Sequence, residues 1–585
     1  MFGGKVAFIR YRQKSTRQEL TRQGMATPRP WLWGSLCPAL LLGIAFTSAA
    51  PVDPSFAAST LVAAPDGTFQ GKLDTSGTVR QFLGVRYAQP VTLNLRWKPP
   101  QPVTPSAVTQ DATQFGNHCP QGLTPFGNAS LTEDCLFLNV YTPNKGGDRE
   151  SDRDDGRPVM VWIHGGALAV GESNEYDATK LVARGVVVVT INYRLGALGF
   201  LAHPALAGES PDHTSGNYGF ADQQAALKWV RRNIGAFGGN PEKVTIFGES
   251  AGGLSTLVNL VSPTAQGLFH RAIVESGGYM LTQPTLAQAE AAGANFANAA
   301  GCNQPNPADV LTCLRALTVP TILGVSSFNP APNVDGKVLT QSIAAALGSG
   351  QFNRMPLMNG SNHDEWNLFV GLDLDLTGHP ATAATYPAVI AATLAVPPGS
   401  PAVAAVQAQY PGASFPSYDQ AVGALGTDAI FACTARFADE LASEFVPTFA
   451  YEFNDENAPQ NFLPAVSFPY GAAHASEIQY IFPVANPSGL GLNLPQTPLN
   501  ANQLQLSDKM VGYWTEFAES GNPNGNGSPH WPRFHRGRQV MQSFVPPTPA
   551  TETNFATAHQ CAFWDQLTGR TLPPDNDHDH TADND

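Results

Sequence analysis

The chain has 585 residues and a formal net charge of −14, from 33 lysines and arginines against 47 aspartates and glutamates. Its length allows a large buried core and by itself suggests roughly three or four domains. No basic run occurs beyond residue 50, so the composition argues against nucleic acid as a partner.

The N-terminus has the pattern of an export signal. Basic residues are spread over residues 1–30, an apolar stretch covers Trp31–Phe46, and the small residues Thr47–Ala50 offer a cleavage site. Pro38 interrupts the apolar stretch, which is shorter than the roughly 20 residues of a spanning helix. We therefore predict cleavage and secretion without stable membrane insertion. An uncleaved signal anchor is the alternative.

The predicted organisation has three parts. Residues 1–50 form an N-terminal extension and signal peptide, residues 51–570 a catalytic domain, and residues 571–585 an acidic disordered tail. Met25 starts a more ordinary signal peptide, so residues 1–24 could be an extension of the gene model. The tail includes the run PPDNDHDH, whose two histidines could hold a metal, although a solvated tail is the simpler interpretation.

Cysteine usage fits an exported protein. Of the seven cysteines, Cys37 would leave with the signal peptide, and the even number that remains predicts three disulfides of unspecified pairing. Neither a C-x-x-C pair nor a Cys/His spacing typical of zinc occurs, so we expect no metal site. Asn128, Asn359 and Asn526 begin Asn-x-Ser sequons, the last weakened by Pro529; we expect a glycoprotein, and which sequons are used stays open.

The first half of the chain alternates strand and helix patterns. Leu61–Arg96 is typical of a β meander, and Glu133–Val140 of a strand entered through an acidic turn. Val159–Ile163 and Val186–Ile191 are apolar runs of the kind found in a sheet covered by helices on both faces. Asp222–Ile234 follows with the period of an amphipathic helix. This alternation predicts an α/β doubly wound sheet.

The strand Val159–Ile163 ends in His164-Gly165-Gly166-Ala167. Glycines at this point let the backbone approach a carbonyl oxygen, so the N–H groups of Gly166 and Ala167 could join that of Ala251 in binding an oxyanion. The alternative is a plain glycine turn after a strand.

The segment KVTIFGESAGGLSTLV supplies the strongest motif. The apolar run Val244–Phe247 predicts a strand, Gly248–Gly252 has the pattern G-x-S-x-G, and Leu254–Val258 is compatible with a helix. Strand, sharp turn and helix in this order indicate a nucleophile elbow, in which the glycines relieve collisions around an exposed serine. We therefore predict that Ser250 is a nucleophile rather than part of a Gly-rich turn.

A nucleophilic serine needs a base and a group that orients the base. His474 lies among small residues in Gly471–His474, which would leave its ring accessible, and it precedes the apolar run Ile478–Phe482. Met355–Met358 predicts a buried strand whose end carries two acids, Asp364 and Glu365. The residues alone do not decide between these two carboxylates.

The segment from Thr377 to Phe445 is rich in alanine and has a helical period. Behind Thr427-Asp428, an apolar stripe predicts a helix that begins there. Its members are Ile430, Cys433, Phe437, Leu441 and Phe445. We interpret this part as helices laid over the C-terminal edge of the sheet.

Together these motifs resemble those of the type-B carboxylesterase/cholinesterase family of α/β-hydrolases, over about residues 60–570. The longer matching blocks are EDCLFLNV (Glu133–Val140), VWIHGGA (Val161–Ala167), NYRLGALGFL (Asn192–Leu201), FGGNPEKVTIFGESAGG (Phe237–Gly253) and CAFWDQL (Cys561–Leu567). Shorter matches are Asn217–Gln224, Val334–Gly336, Asn362–Glu365 and His474.

The resemblance implies an α/β-hydrolase fold: a large, mostly parallel central sheet with helices on both faces and helical insertions over its C-terminal edge. It implies Ser250 as nucleophile, Glu365 as the acid that orients the base, and His474 as the base. Glu249 and Ser276 resemble the acidic elbow residue and a serine near the triad. The implied disulfides are Cys119–Cys135, Cys302–Cys313 and Cys433–Cys561.

The expected activity is that of a secreted serine carboxylesterase that hydrolyses small-molecule esters through an acyl-enzyme, without cofactor or metal. One alternative is a catalytically inactive binding or adhesion protein on the same scaffold. Another is an amide, thioester or lactone hydrolase that uses the same triad. The oligomeric state stays open.

Some positions depart from the choline esterases of this family. No tryptophan lies between Cys119 and Cys135 to stack on a quaternary ammonium, and Phe126 is a poorer match there. Ser326 and Phe328 stand where those enzymes line the acyl pocket with aromatic residues. We therefore do not expect choline-ester specificity. Ala167 replaces a frequent glycine, which is tolerable because only its N–H group is needed.

Overall fold

The structure is a computed structural model that describes residues 59–144, 155–483, 496–525 and 527–574. A small sheet consists of β1 (Leu61–Ala64), β2 (Gly67–Gln70) and β5 (Ser106–Asp111). The large sheet consists of β3 (Lys72–Leu73), β4 (Val79–Arg86), β6 (Phe137–Pro143), β7 (Arg157–Ile163), β8 (Val187–Ile191), β9 (Gly239–Glu249), β10 (Arg271–Glu275), β11 (Leu357–Asn362), β12 (Thr448–Phe453), β13 (Met541–Phe544) and β14 (Ala550–Glu552).

The large sheet runs in the order β14-β13-β12-β11-β10-β9-β7-β8-β6-β4-β3. All pairs from β8 through β13 are parallel, whereas the strands at both edges pair antiparallel. This mostly parallel centre confirms the predicted α/β class. A hydrophobic core lies on each face of the sheet, and consecutive side chains of β7 point into opposite cores. Val161 and Ile163 belong to one core, and Met160 and Trp162 belong to the other.

Helices cover the sheet on both faces. One core includes the helices Tyr218–Asn233 and Ala251–Val261, and the opposite core includes the long helix Ala501–Ser520. The remaining α-helices are Thr179–Val182, Gly196–Phe200, Pro204–Glu209, Leu286–Ala299, Pro307–Ala316, Val319–Gly324, Ile343–Ser349, Asn367–Val370, Tyr386–Thr393, Pro401–Gln409, Tyr418–Gly426, Cys433–Ala442, Ile478–Ile481, Phe555–Ala558 and Cys561–Thr568.

One predicted helix start is wrong. The helix begins at Tyr418 rather than at Thr427, because the side chain of Ser417 accepts a hydrogen bond from the backbone N–H of Gln420. The chain then continues through a π-helical turn, Thr427–Ala432, into Cys433–Ala442. Thr427 does not cap this helix; its hydroxyl instead accepts a hydrogen bond from the backbone N–H of Trp366.

The strand predicted over Met355–Met358 lies further along the chain, at Leu357–Asn362. Its second half is polar, yet it is fully buried and pairs with β12 throughout. Polarity is tolerated here because side chains such as that of Asn359 find buried acceptors, namely Ala435 O at 3.2 Å and Asp439 Oδ1 at 2.9 Å. Asn359 is consequently inaccessible, so its sequon cannot be glycosylated in the folded protein.

All three disulfides that the resemblance implied are formed: Cys119–Cys135, Cys302–Cys313 and Cys433–Cys561. The predicted signal peptide, residues 575–585 of the tail and the sequon residue Asn526 lie outside the described residues. Within the described ranges, no helix combines the length and the apolar character needed to span a membrane.

Candidate active site

The candidate site lies where neighbouring parallel strands end. β7, β9, β10 and β11 stop at Ile163, Glu249, Glu275 and Asn362, so the segments that follow them emerge at one edge of the sheet. These segments contain the Gly-rich turn, Ser250, Ser276 and the Asp-Glu pair. In doubly wound sheets, the carboxyl edge of the strands is the usual place for ligands.

Ser250 occupies the tight turn between β9 and the helix Ala251–Val261. Its φ of 56° and ψ of −119° lie in a region that L-residues with side chains rarely adopt. Its N–H donates to Glu275 O at 2.8 Å, and its carbonyl accepts from Leu254 N at 2.8 Å. The end of β10 and the first turn of the following helix therefore both fix the position of Ser250. The residue is half-buried, whereas the residues on either side are buried.

The elbow glycines are required by contact as well as by turn shape. A Cβ on Gly252 would lie 1.9 Å from Ile163 O, and a Cβ on Gly248 would lie 2.4 Å from the same atom. The turn is therefore pressed against the end of β7, which brings the β7 loop next to the serine. A Cβ on Gly165 would lie 3.2 Å from Ser250 Cβ.

The β7 loop, residues 164–169, has an unusual backbone. Gly166, Ala167 and Leu168 have positive φ values of 93°, 54° and 58°. Gly166 O accepts from the N–H groups of residues 169 and 170, both at 3.0 Å, which fixes the loop. Among the described residues, none accepts a hydrogen bond from the N–H of Gly166, Ala167 or Ala251. Three donors beside Ser250 are thus available to an external acceptor.

The structure brings His474 and Glu365 together. His474 Nδ1 lies 2.5 Å from Glu365 Oε2, and Glu365 Oε1 accepts from the backbone N–H of Asn362 at 2.7 Å. Both side chains are buried. Asp364, the other candidate acid, accepts instead from the backbone N–H of Ala472 at 2.9 Å. The geometry thus favours Glu365 over Asp364 as the residue that contacts the imidazole.

Glu249 places a second carboxyl group beside the imidazole of His474. Its Oε1 lies 3.1 Å from His474 Nε2, and both groups are buried. Burial lowers the pKa of His474, but the charges of Glu249 and Glu365 outweigh it and raise that pKa to about 9. Burial raises the pKa of Glu249 well above its usual range. The pair therefore favours a proton on or near Nε2.

Two further buried acids, which the sequence analysis did not single out, stand behind this pair. Glu275 Oε1 accepts from Trp514 Nε1 at 2.8 Å, and Glu477 Oε2 accepts from Asn362 Nδ2 at 2.5 Å. Burial raises their pKa values, to about 8 for Glu275 and about 7 for Glu477. The sequence feature that could have identified these two acids is a carboxylate at the end of an apolar run: Glu275 ends β10, and Glu477 precedes the helix Ile478–Ile481.

Aromatic side chains form the wall beside the base. The ring centroids of Phe369 and Phe431 lie 5.2 Å and 4.8 Å from that of His474, and the two phenyl rings stack at 6.0 Å. Trp366 and Tyr279 extend this wall, at 4.5 Å from Phe369 and 5.5 Å from Phe431. Phe431 comes from the π-helical turn, which the sequence pattern did not reveal.

Of the other residues compared with choline esterases, Phe126 lies in an apolar cluster with Phe369 of this wall, whereas no contact among the described residues joins Ser326 or Phe328 to the wall. Phe126 packs 6.2 Å from Phe462 in a small apolar cluster that also contains Ala473. Phe328 packs against Phe296 at 5.5 Å, and Ser326 is exposed. His164 in the β7 loop is buried against Tyr193, and burial lowers its pKa to about 4, so it stays neutral.

Comparison with known proteins shows which family the chain belongs to. The model of the carboxylesterase family matches residues 58–564. The chain belongs to the carboxylesterase family. This carboxylesterase is 34% identical to a pyrethroid hydrolase, Ces2e, of Rattus norvegicus over 532 residues, which cover 87% of this chain and 88% of the relative. It therefore has the α/β-hydrolase fold of that family and is a carboxylic ester hydrolase.

Other relatives of this carboxylesterase are equally similar. A cocaine esterase of Homo sapiens is 34% identical over 522 residues, or 83% of this chain and 87% of the relative. A fumonisin B1 esterase of Sphingopyxis macrogoltabida is 34% identical over 479 residues, or 80% and 83%. The family acts on small-molecule esters, and the names of these relatives indicate that their substrates differ widely.

Proposed function

We propose that this carboxylesterase is a secreted serine hydrolase that uses Ser250, His474 and Glu365 and forms an acyl-enzyme. His474 Nε2 takes the proton from Ser250 as its Oγ attacks the ester carbonyl. The alcohol leaves with that proton, and water then hydrolyses the acyl group, again with His474 as base. No cofactor is part of these steps.

The observation that carries this proposal is the His474–Glu365 pair. The Glu365 carboxyl group accepts the proton on Nδ1 at 2.5 Å, so Nε2 is the nitrogen that acts as the base in the neutral form of the imidazole, after the proton that Glu249 favours there has left. As the imidazolium forms, Glu365 and Glu249 both lie close enough to stabilise its charge. Phe369 and Phe431 exclude water from the ring, which strengthens these interactions.

The oxyanion is assigned to the N–H groups of Gly166, Ala167 and Ala251. They lie around the strained serine and have no acceptor among the described residues. Removal of one such donor typically costs about 3–4 kcal/mol of transition-state stabilisation. The positive φ values of the β7 loop then have a functional explanation, because such a backbone can direct consecutive N–H groups at one anion.

The catalytic proposal can be tested by covalent labelling. We expect a fluorophosphonate probe to label the mature protein once per chain, at Ser250, with parallel loss of p-nitrophenyl butyrate hydrolysis. Ser250→Ala should abolish both while leaving the melting temperature unchanged. Ser276→Ala is the matched control, because Ser276 also follows a sheet strand with positive φ, and labelling should persist. Retained turnover by Ser250→Ala would refute the proposal.

The same experiment separates the alternative functions. A binding or adhesion protein would fold but show neither labelling nor turnover. An amidase, thioesterase or lactonase would be labelled at Ser250 and would prefer its own substrate class over matched carboxylic esters. A panel that varies acyl length and alcohol size should include pyrethroid, cocaine and fumonisin B1 esters, taken from the names of the relatives.

Secretion rests on the signal-like residues 1–50 and on three disulfides, which form and persist in oxidising compartments. We expect the mature N-terminus near Ala49 or Ala50 in protein recovered from the medium. N-terminal sequencing measures this directly. Recovery of an intact N-terminus in a membrane fraction would favour the signal-anchor alternative.

A further inference from the structure

A second cluster of chemically active side chains shares no residue with the proposed triad, although His363 lies two positions before Glu365. His363 follows β11, Glu452 belongs to β12, and His559 lies between the helix Phe555–Ala558 and Cys561. One potential ligand atom from each lies within 4.8 Å of the other two. We propose that His363, Glu452 and His559 form a binding site for a divalent transition-metal ion, with Zn²⁺ as the best fit.

The surroundings of His559 have the arrangement that metal-binding histidines usually show. Its Nδ1 lies 2.6 Å from Asp428 Oδ1, which leaves Nε2 directed at Glu452, 2.6 Å from Oε1. Asp428 is itself held by the hydroxyl of Tyr410, which donates to Oδ2 at 2.6 Å. A carboxylate on the far nitrogen fixes the tautomer and the orientation of a ligating imidazole.

Glu452 is oriented in a similar way. Its Oε2 accepts from Asn454 Nδ2 at 2.8 Å, so Oε1 is the atom that faces His559. Both Glu452 and His559 are buried, with about 4% of each side chain exposed. An imidazole and a carboxylate are thus held in place before any ion arrives, which lowers the entropy cost of binding.

Two buried atoms at the cluster make no well-formed hydrogen bond to a described residue. His363 Nδ1 and Glu552 Oε1 are buried, and no described residue makes a hydrogen bond with either atom. His363 Nδ1 lies 3.4 Å from Asp364 Oδ1, outside hydrogen-bonding geometry. The carboxyl groups of Glu552 and Glu452 face each other: burial, the charge of Glu452 and a hydrogen bond to it raise the pKa of Glu552 to about 8. A cation at the cluster would take the place of the proton that this pair shares, and Glu552 is a candidate fourth ligand.

The ligand types select the metal. Two imidazoles with one or two carboxylates suit zinc and its neighbours, whereas calcium and magnesium prefer oxygen ligands alone. Zinc ligands lie about 2.0–2.2 Å from the ion, which places tetrahedral ligand atoms about 3.3–3.6 Å apart. Binding therefore requires side-chain rotations that widen the 2.6 Å contact between His559 and Glu452 and shorten the longer separations, which reach up to 4.8 Å. Sequence spacing gave no sign of this site, because the three ligands come from distant segments; His559 and Glu452 are 107 positions apart.

A metal here would tether the C-terminal segment to the sheet. His559 lies two residues before Cys561, whose disulfide to Cys433 is the covalent tether of the same segment. The ion would therefore stabilise the native state by mass action. It would not take part in ester hydrolysis, because the proposed triad and oxyanion donors include none of its ligands.

The test uses the full mature protein, dialysed against EDTA and then equilibrated with ZnCl₂. Metal analysis should find one tightly bound zinc per chain, and zinc should raise the melting temperature by about 2 °C or more. MgCl₂ and CaCl₂ should have no such effect. His363→Ala should weaken zinc binding at least tenfold and abolish the thermal shift. Since His363 is partly exposed, this variant should still fold.

Two controls address other histidines. His379→Ala removes an exposed histidine outside the cluster and should bind zinc as the unmodified chain does. The double variant His578→Ala/His580→Ala removes the tail histidines and should do the same. The proposal is overturned if the unmodified chain binds no zinc, if His363→Ala binds it undiminished, or if binding depends on the tail histidines instead.

Discussion

Replacing Glu365 with glutamine tests the proposed orientation of the base most directly. Both carboxylate oxygens are used, one by the backbone N–H of Asn362 at 2.7 Å and the other by His474 Nδ1 at 2.5 Å. Glutamine has one oxygen and one NH₂ group. Whichever way the amide turns, one of these two donors will face another donor in a buried place.

The two amide orientations have different consequences. If the NH₂ group faces His474, Nδ1 must become an acceptor and the ring proton moves to Nε2, which can then no longer deprotonate Ser250. Loss of the correct tautomer lowers kcat by about 10⁴ in Ser-His-Asp enzymes. If it faces Asn362, the unsatisfied buried donor costs about 1–3 kcal/mol of stability. In both orientations the negative charge beside the imidazolium is lost.

We therefore expect Glu365→Gln to lower kcat for p-nitrophenyl butyrate by about 10³ or more, with KM little changed. Far-ultraviolet circular dichroism and the melting temperature control for folding. Asp364→Asn is the matched control, because asparagine still offers an oxygen to Ala472 N, and its kcat should stay within a few-fold. Near-normal turnover by Glu365→Gln, or an equal loss in Asp364→Asn, would refute the assignment of roles.

Three further predictions follow from the same geometry. Glu249→Gln removes a carboxyl group 3.1 Å from His474 Nε2 that raises the pKa of the imidazole, so the pKa of His474 should fall. The rising limb of kcat/KM against pH should then move to lower pH, and an unchanged limb would contradict this. Gly252→Ala places a Cβ 1.9 Å from Ile163 O, so soluble expression or activity should be lost, whereas Gly235→Ala, which meets no atom, should be tolerated. Removing Cys433–Cys561, 128 residues apart, should lower the free energy of unfolding by roughly 5 kcal/mol against about 3 kcal/mol for Cys302–Cys313, 11 apart, as measured by denaturant unfolding.

Local patterns predicted the sheet well, because hydrophobic runs and sharp turns depend on neighbouring residues. The apolar run Val186–Ile191 gave β8 to within one residue, and the elbow strand and helix lie on either side of Ser250 as expected. The helix over Asp222–Ile234 was confirmed, although it begins four residues earlier, at Tyr218. The first turn was not predicted because this helix is buried on several sides, which weakens the amphipathic pattern in its sequence.

What could not be predicted depends on contacts between distant residues. Nothing near Glu365 or Asp364 in the chain distinguishes them, and only the position of the residue-474 loop decides which carboxylate contacts the imidazole. Asn359 has a valid sequon, but its strand is buried between β10 and β12. The helix start was missed because Thr427 followed by an acid is a typical start signal, whereas the residue that caps the helix is Ser417, earlier in the chain.

The buried acids around His474 explain how the proposed site can stabilise a cation without a permanent excess of charge. Tyr451 in β12 interacts with Glu249, Glu275, Glu365 and Glu477, so the four carboxyl groups share one region. Burial raises the pKa of Glu275 to about 8 and that of Glu477 to about 7, which favours their neutral forms near neutral pH. The proton taken from the nucleophile therefore enters a region that already favours positive charge.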